Sequence, residues 1–247
     1  MTSKRQKIII YGLLGLGGLF MVLPFLWSLL SSFKPPSEIL ALQPELLPRN
    51  PTLDNYRQVL STGSFGRWYL NSLAVATIVT VSVCLFSSLA GYSLAKYRYA
   101  GRKVIFFAIL STMMIPMEML VIPWFITASY LNMGDTYAGI MFPGLISAFG
   151  VFLMRQFMEA IPDAIIESAR IDRASELKIF FKIVLPLVRP ALASLAIFTF
   201  IANWDAFLWP LIITNERNMF TLPIGLQSFA GDAGVQYHLI ITAATWW

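Results

Sequence analysis

Residues 68–95 read WYLNSLAVATIVTVSVCLFSSLAGYSLA, twenty-eight positions without a charged side chain, closed by Arg67 on one side and Lys96 on the other. As an α-helix this run is about 42 Å long, more than the roughly 30 Å of hydrocarbon in a bilayer. Lipid offers the backbone no hydrogen bonds, so a segment crossing it must satisfy its own amides, and a helix does so. The stretch is therefore expected to be a transmembrane helix.

The same pattern recurs on both sides of it. Residues 8–33 and 136–154 are also uncharged and long enough to span. Residues 104–126 reach spanning length with one acid, Glu118, and the segment 187–214 does so with Asp205. A sixth apolar run starts near residue 236. From residue 233 to the last residue it has 15 uncharged positions, about 22 Å of helix, so the sequence is expected to stop inside a helix. Of the 247 residues, 57% are hydrophobic and only 13% charged, with a mean hydropathy of +0.68. A soluble globular chain carries about 25% charged residues. These observations exclude a soluble enzyme and predict an all-α fold, a polytopic transmembrane helix bundle.

Charge gives the orientation. The first stretch follows Lys4, Arg5 and Lys7 but is too long for a signal-peptide core and lacks a cleavage site, so it reads as an uncleaved anchor. With the amino terminus inside, inner segments hold 13 Lys and Arg and outer segments hold 5, the bias expected of cytoplasmic loops. The net charge of +5 forms no continuous basic face, so nucleic acid is not an expected partner. The outer segment 34–67 carries five prolines and should be mostly extended, with one short helix at 54–60.

Soluble-enzyme chemistry is missing. No G-x-x-x-x-G-K-[ST] phosphate cradle occurs. Cys84 and His238 are the only residues of their types, which leaves no His/Cys metal set and no Cys/His nucleophile. Cys84 reads as packing. Gly12, Gly15, Gly17 and Gly18 in the first stretch are expected to allow close helix packing.

The inner segment 155–189 is the most charged part of the chain, yet it is periodic. Pro162 suits a first helical turn, Asp163 and Glu167 favour its positive end, and a helix can run through Arg170. Ser175 can cap a second helix in which Leu177, Phe180, Phe181, Val184 and Leu185 fall on one face. Pro186 and Pro190 then restrict the chain as it joins the fifth span. Two short helices on the inner face suggest either a docking surface or helices lying among lipid head groups.

Glu167-Ser168-Ala169, three residues, Arg173, nine residues and Ile183-Val184-Leu185-Pro186 follow the spacing E-A-A-x3-G-x9-I-x-L-P. This is the EAA loop, and the chain resembles the permease subunits of binding-protein-dependent ABC importers. NWDAFLWPLI at 203–212 and TLPIGLQSF at 221–229 extend the resemblance to the carbohydrate-uptake branch, to six-span permeases like the second permease of the maltose transporter. The resemblance implies a type I importer permease in which 155–189 forms the coupling helix that enters a groove on an ATPase. Glu167 would then pair with a base on the ATPase, Ala169 would permit close approach, and Asp172 precedes the motif glycine. Ser168 stands where the motif has alanine. Arg173 stands where it has glycine, and a β-carbon at positive φ costs about 1–2 kcal/mol, so either the turn is made differently or this copy couples poorly. A second helix continuous with the fifth span would transmit the motion.

The resemblance also implies partners: a second permease, two ATPase subunits that use ATP and Mg2+, an extracytoplasmic solute-binding protein and membrane lipid. This chain itself is expected to bind no cofactor and no metal, to catalyse no reaction, and to lie in a bacterial or archaeal cytoplasmic (inner) membrane. Acids within spans usually face a bundle interior or a water-filled path. Glu118, between Pro116 and Pro123 where a helix could break, and Asn203, Trp204, Asp205 and Trp209 are therefore candidates for a sugar pathway. In the family the last segment usually reads W-N-[DE]-F, so Asp205 replaces its amide and Ala206 its acid. The alternative is that Glu118 and Asp205 are buried and satisfied by neighbouring helices, with the tryptophans in an interface belt. Two other functions stay open on the residues alone: a membrane-embedded enzyme using Glu118 and Asp205, and a truncated non-functional or regulatory permease remnant.

Overall fold

The computed structural model describes residues 4–41, 45–61, 64–231 and 234–246. Its contacts divide into two units, Met1–Arg67 with Ile224–Trp247, and Trp68–Pro223.

In the first unit α1 (Lys4–Ser32) is one continuous helix despite Pro24. Two short helices follow it, α2 (Pro36–Ile39) and α3 (Asp54–Ser61). The proline-rich segment thus holds one more helical turn than the sequence suggests. Buried Asn55 ties α3 down by donating to the carbonyls of Ser32 and Lys34 at 2.9 and 2.8 Å, groups that a helix end leaves without intrahelical partners. The far end of the chain contributes a two-residue antiparallel pairing, β1 (Ala230–Gly231) with β2 (Gly234–Val235). The last helix, Tyr237–Ala244, packs on α1 and α3.

The second unit is built on α4 (Phe65–Lys96), 32 residues in one piece. The remaining apolar stretches are broken. α5 (Arg102–Thr112) and α6 (Met117–Tyr130) meet at 97°, with Pro116 as the extended residue that opens α6. The fourth stretch consists of α7 (Tyr137–Met141), a 3-10 turn and α8 (Ala148–Glu159), bent by 50°. Next come α9 (Asp163–Ile171), α10 (Glu176–Ile179), a π-helical turn at Phe180–Val184 and α11 (Leu185–Leu187). α12 (Arg189–Trp204) ends at Asp205, and α13 (Leu208–Ile213) resumes after three residues. α14 (Leu222–Gln227) crosses the boundary between the units, and the Tyr237–Ala244 helix is α15. Val79, Val83, Met154, Ile179, Val184 and Leu195 form the centre of the core.

The expected continuity between the coupling helix and the fifth span is corrected here. The segment Glu176–Leu187 meets α12 at 81°. Val188, at φ −102° and ψ 17°, is the joint, because Pro190 has no N–H to offer the Pro186 carbonyl one turn back. Among the described residues two helices are long and apolar enough to cross a membrane, or five if each bent pair is one span.

Candidate functional site

Two places in the second unit concern function. The first is the α9–α10 corner. Asp163 stands in the first turn of α9, where the helix dipole favours an acid. The helix ends in two bonds, Arg173 N–H to the Arg170 carbonyl at 2.9 Å and Ala174 N–H to the Ala169 carbonyl at 3.0 Å, which together are a Schellman motif. Its left-handed position is Arg173, at φ +56°. The turn is therefore made as the motif glycine would make it, by an arginine. Ser175 then caps α10, its hydroxyl accepting from the Lys178 amide at 3.4 Å.

Burial separates the residues of the motif. Glu167, Ser168, Asp172 and Arg173 are exposed, and Leu185 and Pro186 are half-buried. Ala169 is buried with Ile166 in this chain's own core, where its small size lets α9 lie close to the bundle. The apolar face expected on the second helix is also corrected: Ile179, Phe180 and Val184 are buried, while Leu177 and Phe181 are 67% and 47% exposed. Phe180 and Val184, four residues apart, share the buried face, and Leu177 and Phe181, also four apart, share the exposed face next to it. With Ile171, 80% exposed, these side chains leave three large apolar groups exposed on a charged segment.

The corner is tied to the end of α4. Lys96 donates to the Ile161 carbonyl at 2.5 Å and to the Asp163 carboxylate at 2.7 Å. Arg170 grips Glu176 through Nε at 2.7 Å and a terminal nitrogen at 3.3 Å, and Tyr97 donates to the same carboxylate at 2.6 Å. Lys96 holds the Asp163 carboxyl below its usual range, and Arg170, with Tyr97, does the same for Glu176.

The second place is a cleft of about 200 Å3 lined by Met117, Trp124, Gly144, Asn203, Trp209 and Thr221, among others. Trp209 is buried, donates to the Gly139 carbonyl at 2.9 Å and meets Trp124 edge-on at 6.0 Å, so it is not part of an interface belt. Asn203 donates to the Thr199 carbonyl at 2.8 Å. The buried Thr221 hydroxyl, also on the cleft wall, has no hydrogen-bond partner. Of the five expected pathway residues, Asn203 and Trp209 come together here. Trp204 instead stacks on Phe200 and meets Tyr69 edge-on. Glu118 and Asp205 do not line the cleft and are exposed in this chain, against the alternative that they are buried. Trp124 and Thr221 come from distant segments, and no spacing in the sequence marks either.

The model of the family described as binding-protein-dependent transport system inner membrane component matches residues 84–246. The chain belongs to this family. It is similar to the arabinooligosaccharides transport system permease protein AraQ of Bacillus subtilis, 38% identical over 92% of this chain and 82% of the relative. It is also similar to the sn-glycerol-3-phosphate transport system permease protein UgpE of Pectobacterium atrosepticum, 32% identical over 98% and 90%. A crystal structure of a bacterial ABC transporter involved in the import of the acidic polysaccharide alginate contains a chain that superposes with a TM-score of 0.86, at 25% identity over 100% of this chain and 93% of that one. This binding-protein-dependent permease is thus a membrane subunit of an ABC importer and not an enzyme, and the embedded-enzyme alternative falls.

Proposed function

We propose that this permease carries a neutral sugar or oligosaccharide inward across the cytoplasmic membrane, with its amino terminus inside, by alternating access. It pairs with a second permease and receives solute from an extracytoplasmic binding protein. Two copies of a separate ATPase, using ATP and Mg2+, drive it. The observation that carries this reading is the α9–α10 corner, which exposes Glu167 and Ile171 four residues apart on one face of α9, and Leu177 and Phe181 on the segment that follows. Apolar side chains on a charged segment mark a protein contact, and one acid among them gives the contact a basic partner. Ser168, Asp172 and Arg173 of the same segment are exposed as well and Leu185 and Pro186 are half-buried, and all five are assigned to the contact.

The solute class rests on the relatives and on the cleft. The relatives' names include both neutral oligosaccharides and a phosphate ester. Among the described residues no charged one lines the cleft, whereas two tryptophans, an amide and a free hydroxyl do. Aromatic faces and neutral polar groups suit sugar rings, and a phosphate would be left there without a cation. Asn203 and Trp209, with Trp124 and Thr221, are therefore assigned to the pathway. Glu118, Trp204 and Asp205 are assigned to its approach or to the contact with the second permease.

In the cycle, closure of the ATPases moves the 167–185 segment and shifts the bundle between outward- and inward-open states. Replacing Glu167→Lys tests this. Uptake by cells should fall about tenfold or more, the effect of reversing a charge in an interface, with unchanged amounts of permease in the membrane. Undiminished uptake would overturn the assignment.

A further inference from the structure

Two routes lead from the coupling corner to the membrane helices. One follows the chain through the π turn into α12 and passes the 81° bend at Val188. The other crosses space to the end of α4. Both oxygens of Glu176 are engaged within this chain: Oε1 accepts from Arg170 Nε at 2.7 Å, and Oε2 accepts from Tyr97 at 2.6 Å, Tyr92 at 3.3 Å and the Arg170 terminal nitrogen at 3.3 Å. One carboxylate thereby joins the last turn of α9, the first residue of α10 and the end of α4. A second tie is set by Lys96, the last residue of α4 and only 4% exposed, on Ile161 and Asp163 at the start of α9. Under both ties the Tyr92 ring lies 5.5 Å from the Phe180 ring, in a core shared with Ile166 and Ala169.

A joint at one residue flanked by prolines absorbs a pull by rotating about that residue's dihedrals. Charge-assisted hydrogen bonds over a close-packed core do not yield in that way. We infer that the coupling corner drives the bundle through α4, with Glu176 as the positioning residue that keeps α9, α10 and α4 one rigid piece, and with Val188 as the hinge to α12. Within this chain the Glu176 carboxylate serves Arg170, Tyr97 and Tyr92. The inference rests on the reading of 155–189 as the ATPase contact.

The test uses the assembled importer in lipid vesicles and reads two quantities, the amount of ATPase that co-purifies and the stimulation of ATP hydrolysis by the binding protein. The variant Tyr92→Phe with Tyr97→Phe keeps both rings and removes both donors from α4. Co-purification should stay at the unmodified level while stimulation falls about tenfold, the scale of a lost hydrogen bond to a charged group. A covalent substitute provides the rescue: in a Cys84→Ser background, Tyr97→Cys and Glu176→Cys lose stimulation, and a short bifunctional thiol reagent joining them restores it. Unchanged stimulation in the double phenylalanine variant overturns the inference. So does loss of the ATPase from that variant, and so does failure of the covalent bridge to restore stimulation. Glu167→Lys in the same assay separates the two ideas. If it leaves the ATPase bound, the docking reading fails; if it releases the ATPase while the tyrosine variant stays fully stimulated, only the α4 route fails.

Discussion

Arg173 holds a left-handed backbone conformation that a residue with a β-carbon seldom adopts. The spacing puts the residue where the chain must turn between two helices, and the two Schellman bonds show that it does turn there, at φ +56°. Asn132 makes the same turn after α6 at φ +53°, but asparagine tolerates that region and arginine does not. The arginine conformation costs about 1–2 kcal/mol. Arg173→Gly removes that cost and adds back part of it as extra freedom of the unfolded chain. The net gain should be about 0.5–1 kcal/mol, visible as a higher melting temperature of the purified permease. A lower one would mean that the arginine side chain makes a contact that outweighs the backbone. The position was legible because turn chemistry is local. That the turn kept its form was not, since only the packing around Ala169 and Ile179 decides whether the backbone gives way.

At the level of helices, small residues matter where a crossing helix comes close. Within this chain a β-carbon at Gly12, Gly15, Gly17 or Gly18 of α1 would meet nothing within 4 Å. The close approach is at Gly91 of α4, where a β-carbon would lie 2.8 Å from the Arg155 backbone nitrogen and 2.9 Å from the Met154 Cβ of α8. Gly91→Ala should therefore destabilise the chain by about 1–3 kcal/mol, as overpacking does. Gly15→Ala should be neutral or gain up to about 1 kcal/mol of helix propensity. Thermal unfolding in one detergent measures both, and equal effects would refute the crossing. Apolar length, the Ser175 cap and the α3 helix could be read from the sequence because they depend on nearest neighbours. The bends at 113–116 and Val188 and the π turn could not, because proline permits a break without fixing its angle. Leu177 and Phe181 share an exposed face of their own beside the buried face of Phe180 and Val184.

For the whole molecule, the fold class follows from one physical fact, that lipid rejects unpaired amides, and so it was visible in composition alone. The candidate site was half visible. The coupling segment is contiguous and its spacing shows, whereas the cleft gathers Trp124, Asn203 and Thr221 from three separate segments and no spacing marks it. Orientation is the remaining whole-chain property, and everything proposed for Glu167 depends on it. The excess of Lys and Arg, 13 against 5, is the basis for proposing the 96–103 and 155–189 segments on the cytoplasmic side, because positive loops resist translocation. Since Cys84 is the only cysteine, a Cys84→Ser background allows single labels at will. A membrane-impermeant maleimide should label Arg57→Cys in intact cells and reach Arg98→Cys only after the membrane is opened. The reverse pattern would place the Glu167 surface outside, where no ATP-driven subunit could reach it, and would overturn the coupling assignment together with the α4 route built on it.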